Sequence, residues 1–208
     1  MRVLVACEFS GTVRDAFTAR GHDAMSCDVK PTETPGPHYQ GDVRDILGDG
    51  WDLMIAHPPC TYLSRAGARW LYTKAGEIDP ERYARGMEAR AFFVELLAAP
   101  IARICIENPT PLRAFRLPYY TQAIEPHHFG HPYSKRTLLW TRGLPLLLPT
   151  KRLAQFRPLL RSNTGGATRG TSSTRGVVYS AADASRTFPG IAAAMADQWG
   201  GGSSGLGP

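Results

Sequence analysis

Short apolar runs recur through the first half of the chain, and each ends in a turn made of polar, glycine or proline residues. Arg2-Val-Leu-Val-Ala6 reads as a first strand, and Thr12 to Arg20 as a helix stopped by Gly21. His22 to Cys27 is a second strand that ends at Asp28, and Trp51 to Ala56 is a third. Asp79-Pro80-Glu81 opens a long helix, with a capping side chain, a proline in the first turn and an acid near the positive end of the helix dipole. Its apolar stripe is Tyr83, Met87, Ala91, Val94 and Leu97, and it stops before Pro100. Ala102 to Ile106 is a further strand. Strands alternating with helices are the signature of a mostly parallel α/β sheet with flanking helices. Residues 31–40 hold three prolines and a glycine and read as loop. Thr137 to Thr141 reads as a late strand, and residues 162–173, rich in Gly, Ser, Thr and Arg, as a flexible loop. Phe188-Pro-Gly190 opens a last helix, Ile191 to Trp199. The expected organisation is one domain over residues 1–199 and a flexible linker-like tail over 200–208.

No apolar run approaches the roughly 20 residues of a membrane span, and nothing at the N-terminus reads as a secretion signal. The four cysteines, Cys7, Cys27, Cys60 and Cys105, form no CxxC pair. A disulfide scaffold and a zinc knuckle are thereby disfavoured, and a reducing, cytoplasmic setting is expected. The net charge of +6 is unevenly placed: residues 126–182 hold nine Lys or Arg and no Asp or Glu. A stretch of one sign that long suits a polyanion, so phosphate-bearing partners are expected there.

In open parallel sheets ligands bind beyond the C-terminal ends of the strands, and the polar residues of this chain collect at those ends. Glu8-Phe9-Ser10-Gly11 follows the first strand and opens a helix, Asp28 follows the second, and Gly41-Asp42 is a third acidic turn. Together they suggest a nucleoside-bearing cofactor, with Asp28 on the ribose hydroxyls and Asp42 on an amino group. The phosphate-loop pattern GxxxxGK[ST] is absent, and Glu8 would repel a diphosphate; a cationic sulfonium fits better. His57-Pro58-Pro59-Cys60 holds a thiol in a rigid turn just past a strand. A helix starting there would favour the thiolate. Cys7, Cys27 and Cys105 lie in or beside apolar runs and read as structural. His57 and Cys60 lack a second pair at metal-ligand spacing, so no metal is expected. Glu107-Asn108-Pro109 ends another strand. A carboxyl at the mouth of an apolar strand should have a raised pKa and carry a proton near neutrality. A nucleophile and an acid at neighbouring strand ends suit covalent attack on a protonatable ring.

Taken in order, these segments resemble the cytosine-C5 DNA methyltransferases. Phe9-Ser10-Gly11 is similar to that family's cofactor turn, Asp28 to its ribose-binding acid, and Asp42 to its adenine-contacting Asp. Pro59-Cys60 matches the Pro-Cys of the nucleophile loop, and Glu107-Asn108 the Glu-Asn that meets the cytosine edge. Phe129-Gly130-His131-Pro132 with Lys135-Arg136 resembles the late basic segment, and Phe188 onward the last helix. The departures are Thr12-Val13-Arg14 in place of the later glycines, Thr61 in place of Gln, Pro109 in place of Val, and a register shift at Arg136. About fifty residues separate Arg136 from Phe188, where the family carries a large target-recognition region.

The resemblance implies a Rossmann-like, S-adenosyl-L-methionine-dependent methyltransferase acting on DNA, duplex or single-stranded. Its catalytic residues would be Cys60, Glu107, Asn108, Lys135 and Arg136. Glu8, Phe9, Ser10, Gly11, Asp28, Asp42 and Pro58 would bind the cofactor. Residues 126–187 would form a reduced nucleic-acid face through Arg136, Arg142, Lys151, Arg152, Arg161, Arg169 and Arg175. A protein partner could supply target recognition. Three other readings stand beside it: a methyltransferase for free cytosine nucleotide or single strands, a non-catalytic binding protein on a decayed scaffold, and an amino-group methyltransferase of the [Asp/Asn/Ser]-Pro-Pro-aromatic kind.

Overall fold

The computed structural model describes residues 1–161, 177–179 and 186–201. The elements in chain order are β1 (Arg2–Ala6), α1 (Thr12–Thr18), β2 (Asp23–Asp28), β3 (His38–Gln40), β4 (Leu53–Ala56), α2 (Pro80–Ala98) and β5 (Arg103–Pro109). They continue with β6 (Gln122–Ile124), β7 (Tyr133–Ser134), β8 (Thr137–Arg142), β9 (Arg157–Arg161), β10 (Val177–Tyr179) and α3 (Pro189–Gly200).

Seven strands form one sheet in the order β3-β2-β1-β4-β5-β8-β6. β1, β2, β3, β4 and β5 pair in parallel, and β8 enters antiparallel between β5 and β6. The arrangement is Rossmann-like: the strand order turns back on itself between β1 and β4, which opens a crevice above their C-terminal ends. β7, β9 and β10 form a second, three-stranded sheet.

Both faces of the large sheet are covered, and the β1 sequence shows how. Val3 and Val5 point to one side, where Leu53, Ile55 and Leu139 pack with Val13 and Phe17 of α1 and Ile191, Met195 and Trp199 of α3. Leu4 and Ala6 point to the other, where Met54, Ile104, Ile106 and Trp140 meet Phe93 and Leu96 of α2. Strands buried on both faces are apolar throughout rather than alternating, which is why β1 and β4 stand out in the sequence.

α2 starts as expected: Asp79 accepts the Arg82 N–H at 2.7 Å. Its buried face differs from the expected stripe. Met87 and Ala91 are exposed, and Gly86, Phe93 and Leu96 face the core. The cause lies outside the helix: the Phe115 ring sits where a Cβ on residue 86 would be, so only glycine lets it close on α2. Arg142 closes the other end of α2, donating to the carbonyls of Leu97 (2.9 Å), Ala99 (2.6 Å) and Ile101 (2.6 Å). The proline-rich stretch 31–40 is loop only to Pro37; His38–Gln40 adds β3 to the sheet edge. The loop itself is pinned by the fully buried Arg14, which donates to Ser26 (3.2 Å), Thr32 (3.2 Å) and Thr34 (2.7 Å). The segment 162–173, expected to be a flexible loop, lies outside the described residues. No described helix is long and apolar enough to cross a membrane.

Candidate active site

A cavity of about 830 Å³ opens at the C-terminal ends of β1, β2, β4 and β5. Of the expected site residues, Phe9, Asp28, Asp42, Pro58, Cys60, Glu107, Lys135 and Arg136 line it.

The turn after β1 folds around a carboxylate. Glu8 is buried, and its Oε1 and Oε2 accept the N–H groups of Val13 (2.8 Å) and Arg14 (3.2 Å). Ser10 Oγ donates to the same carboxylate at 3.1 Å. Glu8 therefore caps α1 from within and does not face the cavity, against the cofactor role expected of it. Gly11 takes a left-handed φ of 76°, with Thr34 Oγ1 and the Arg14 guanidinium where a Cβ would lie, so this glycine is required by the turn. Phe9 does face the cavity, with Lys30 Nζ 4.7 Å from its ring centre. Asp28 Oδ1 accepts the Lys30 N–H at 2.9 Å. Asp42 lies on the rim and caps a 3₁₀ turn, Val43–Asp45. The Arg44 N–H and then the Arg44 guanidinium hold its carboxyl below the usual range.

Two residues read as structural also reach the cavity. Cys7, at a left-handed φ of 58°, and Cys27 both line it. Burial first, then the Asp28 charge, pushes each thiol up to about 12, so both are neutral. Cys7 is placed there by the turn after β1 and Cys27 by the end of β2 beside it, a juxtaposition that a single sequence does not display.

On the opposite wall, Pro58, Pro59 and the half-buried Cys60 follow β4. The expected helix behind the thiol is not there. The Cys60 carbonyl accepts the N–H groups of Leu63 (3.1 Å) and Ser64 (2.9 Å), and the chain continues as a 3₁₀ helix, Arg65–Trp70. Among the described residues, the next α-helix along the chain is α2, which starts only at Pro80.

Glu107 stands in β5, beside β4, and is paired with His57: Nδ1 to Oε2 is 3.4 Å, with the side chains 15% and 13% exposed. Thr187 Oγ1 donates to the same Oε2 at 3.4 Å. Burial alone would push Glu107 up. The hydrogen bond and charge of His57, the charge of Lys135 and the Thr187 hydroxyl outweigh it and hold the carboxyl below its usual range. This overturns the expected raised pKa: the apolar strand is only one wall, and the other three groups arrive from distant segments. For His57 the balance is the mirror image. Burial pulls it down, and the Glu107 hydrogen bond with the charges of Glu107 and Glu8 carries it above the ordinary value. His57 Nε2 is buried with no hydrogen-bond partner among the described residues, a state that costs about 1–3 kcal/mol. Asn108 is buried, and its Nδ2 donates to the Pro109 carbonyl at 2.9 Å.

The basic segment divides. Lys135 and Arg136 reach the cavity, and Arg136 Nη2 donates to Tyr120 Oη at 3.2 Å. Lys151 and Arg152 are exposed. Arg142 is committed to the three carbonyls after α2, which removes it from the expected nucleic-acid face. Arg161 ends β9, and Arg169 and Arg175 lie outside the described residues. Arg65, not singled out in the sequence, lines the cavity, because the 3₁₀ segment after Cys60 folds back over it. The start of α3 is fastened to the segment before β7, with His131 Nε2 accepting the Gly190 N–H at 2.9 Å.

No family model matches the sequence, and no curated protein matches it. Among solved structures, the chain is similar to a putative DNA modification methyltransferase encoded within an E. coli prophage (16% identity, TM-score 0.43, 74% of this chain and 52% of that one). It is also similar to the Entamoeba histolytica methyltransferase EhMeth (15%, TM-score 0.44, 74% and 57%) and the S. pombe Dnmt2 methyltransferase (15%, TM-score 0.36, 74% and 51%). The chain thus spans little more than half the length of these structures.

Proposed function

We propose that the protein transfers a methyl group from S-adenosyl-L-methionine to C5 of cytosine in DNA. The observation that carries this reading is that Cys60, in the loop after β4, and Glu107, in the neighbouring strand β5, line one cavity with Phe9 and Asp28.

The donor set fits a nucleoside without phosphates. The free N–H groups of α1, the usual seat of a phosphate, are taken by Glu8. Phe9, Asp28 and Pro58 would hold the adenosine part of the cofactor. When bound, S-adenosylmethionine supplies an electrophilic methyl group on a sulfonium.

C5 of neutral cytosine is a poor nucleophile. Addition of the Cys60 thiolate to C6, with a proton held at N3 by Glu107, turns C5 into an enamine carbon. After methylation, a water molecule takes the C5 proton, the C–H pair re-forms the C5–C6 double bond, and the thiolate leaves C6. Asn108 sets the backbone beside Glu107, and Lys135 and Arg136 meet the base edge or its flanking phosphates. In duplex DNA the base must first leave the stack, at about a few kcal/mol.

The test is methyl-labelled S-adenosylmethionine with duplex DNA, single-stranded DNA and dCMP in parallel, followed by digestion to nucleosides and mass spectrometry. The expected product is 5-methyldeoxycytidine from DNA. Product from dCMP alone would move the substrate to free nucleotide, and a methylated exocyclic amine would replace the chemistry. Failure to bind the cofactor by calorimetry would leave a non-catalytic scaffold.

A further inference from the structure

His57 precedes the nucleophile by three residues and has no part in the reaction as written. Yet its Nδ1 is 3.4 Å from Glu107 Oε2, both side chains are mostly buried, and its Nε2 has no partner among the described residues. Hydrogen bonds of catalytic groups are often long before substrate arrives and shorten in the complex.

The pairing creates a requirement. Thr187 donates to Glu107, and the Lys135 charge also acts on it. A carboxyl among these groups is ionised, and an ionised carboxylate has no proton to give to N3. The imidazolium beside it has one.

We propose that His57 is the proton store of the site: it supplies, through Glu107, the proton that cytosine N3 takes up when Cys60 adds. The proposal rests on the cytosine reading above. The Cys60 sulfur forms a bond to C6, and the C5–C6 π pair moves into C4–C5. His57 Nδ1 passes its proton to the Glu107 carboxylate, which leaves a neutral imidazole, and the C4–N3 π pair takes that proton from the carboxyl. When the C4–N3 double bond is restored the proton returns by the same path, so none is consumed. His57 does not touch the base in this scheme; it is a positioning residue that acts through Glu107.

The test uses the full chain and mixed-sequence duplex DNA. Wild type is first incubated with S-adenosylmethionine and duplex containing 5-fluorocytosine. A stable adduct at Cys60 upholds the cytosine reading; its absence removes that reading and the proposal with it. The rate of tritium release from C5-labelled cytosine is then followed against pH for wild type and His57→Gln. Gln can still donate a hydrogen bond to Glu107 but cannot give up a proton. Wild type should lose rate at alkaline pH as His57 deprotonates. The Gln variant should lack that limb and run about a hundredfold slower at its plateau, with KM for DNA unchanged. A Gln variant that keeps both the wild-type limb and rate overturns the proposal. Imidazole NMR on wild type and Glu107→Gln gives a reading independent of variants at position 57. His57 should titrate above the ordinary histidine value in wild type and fall back in Glu107→Gln. Titration at the same pH in both would dissolve the pair and the proposal, even where the adduct forms.

Discussion

At the scale of single residues, the site turns on two ionisable side chains, His57 and Glu107, that are 15% and 13% exposed and 3.4 Å apart. Cys60 and Glu107 announce themselves because each ends an apolar run, and adjacent parallel strands bring such ends together. The charge state of Glu107 depends on His57, Lys135 and Thr187, which are neighbours only in the folded chain. If Cys60 is the nucleophile, Cys60→Ala should abolish methyl transfer while calorimetry finds cofactor binding nearly unchanged; full turnover by that variant would end the covalent mechanism. The His57–Glu107 pair also fixes a pH dependence of stability. His57 is raised, so its contribution is complete below the unfolded value near 6.5 and is lost as pH climbs through the higher folded one. Glu107 is lowered, so its contribution is complete above about 4.5 and is lost as pH drops through the lower folded one. Thermal melts of wild type against Glu107→Gln should therefore differ most between those two values and converge on either side. A difference that does not vary with pH would mean the two groups are not coupled.

At the scale of elements, local signals served best where the cause was local. The start of α2 was legible because its cap is built from adjacent residues; Asp79→Ala should cost about 1 kcal/mol in a denaturant titration. Its buried face was misread by a rotation, because Phe115, a distant residue, chose Gly86 as its seat. That choice sets two effects against each other in Gly86→Ala. Helix propensity would gain about 1 kcal/mol, whereas forcing a methyl against a buried ring costs about 1–3 kcal/mol. Phe115 is 1% exposed and cannot swing aside, so the clash should win and the midpoint should fall. A higher midpoint would mean that the ring relocates. β3, β6, β7, β9 and β10 escaped notice because they are two to five residues long and lean on neighbours rather than on their own pattern.

At the scale of the whole molecule, the alternation of strands and helices was enough to give the sheet, and the charge asymmetry enough to suggest a polyanion. What the asymmetry could not give was each base's employment. Arg142 is spent inside the fold, while Lys151 and Arg152 stay exposed. DNA affinity should fall linearly on a log–log plot against salt, and replacing Lys151 and Arg152 together by Ala should shrink the slope by about 2, close to 0.9 for each lost phosphate contact. An unchanged slope would place the DNA elsewhere. One further property follows from the carboxylate folded into the turn after β1. If the pocket takes S-adenosylmethionine as proposed, ATP and dinucleotides are the competitors to test, since they carry the same adenosine. Here the N–H groups at the helix end that would welcome their phosphates already donate to the Glu8 side chain. The pocket should therefore ignore those competitors at concentrations where S-adenosylhomocysteine blocks it, a selectivity written by one glutamate that never meets the ligand.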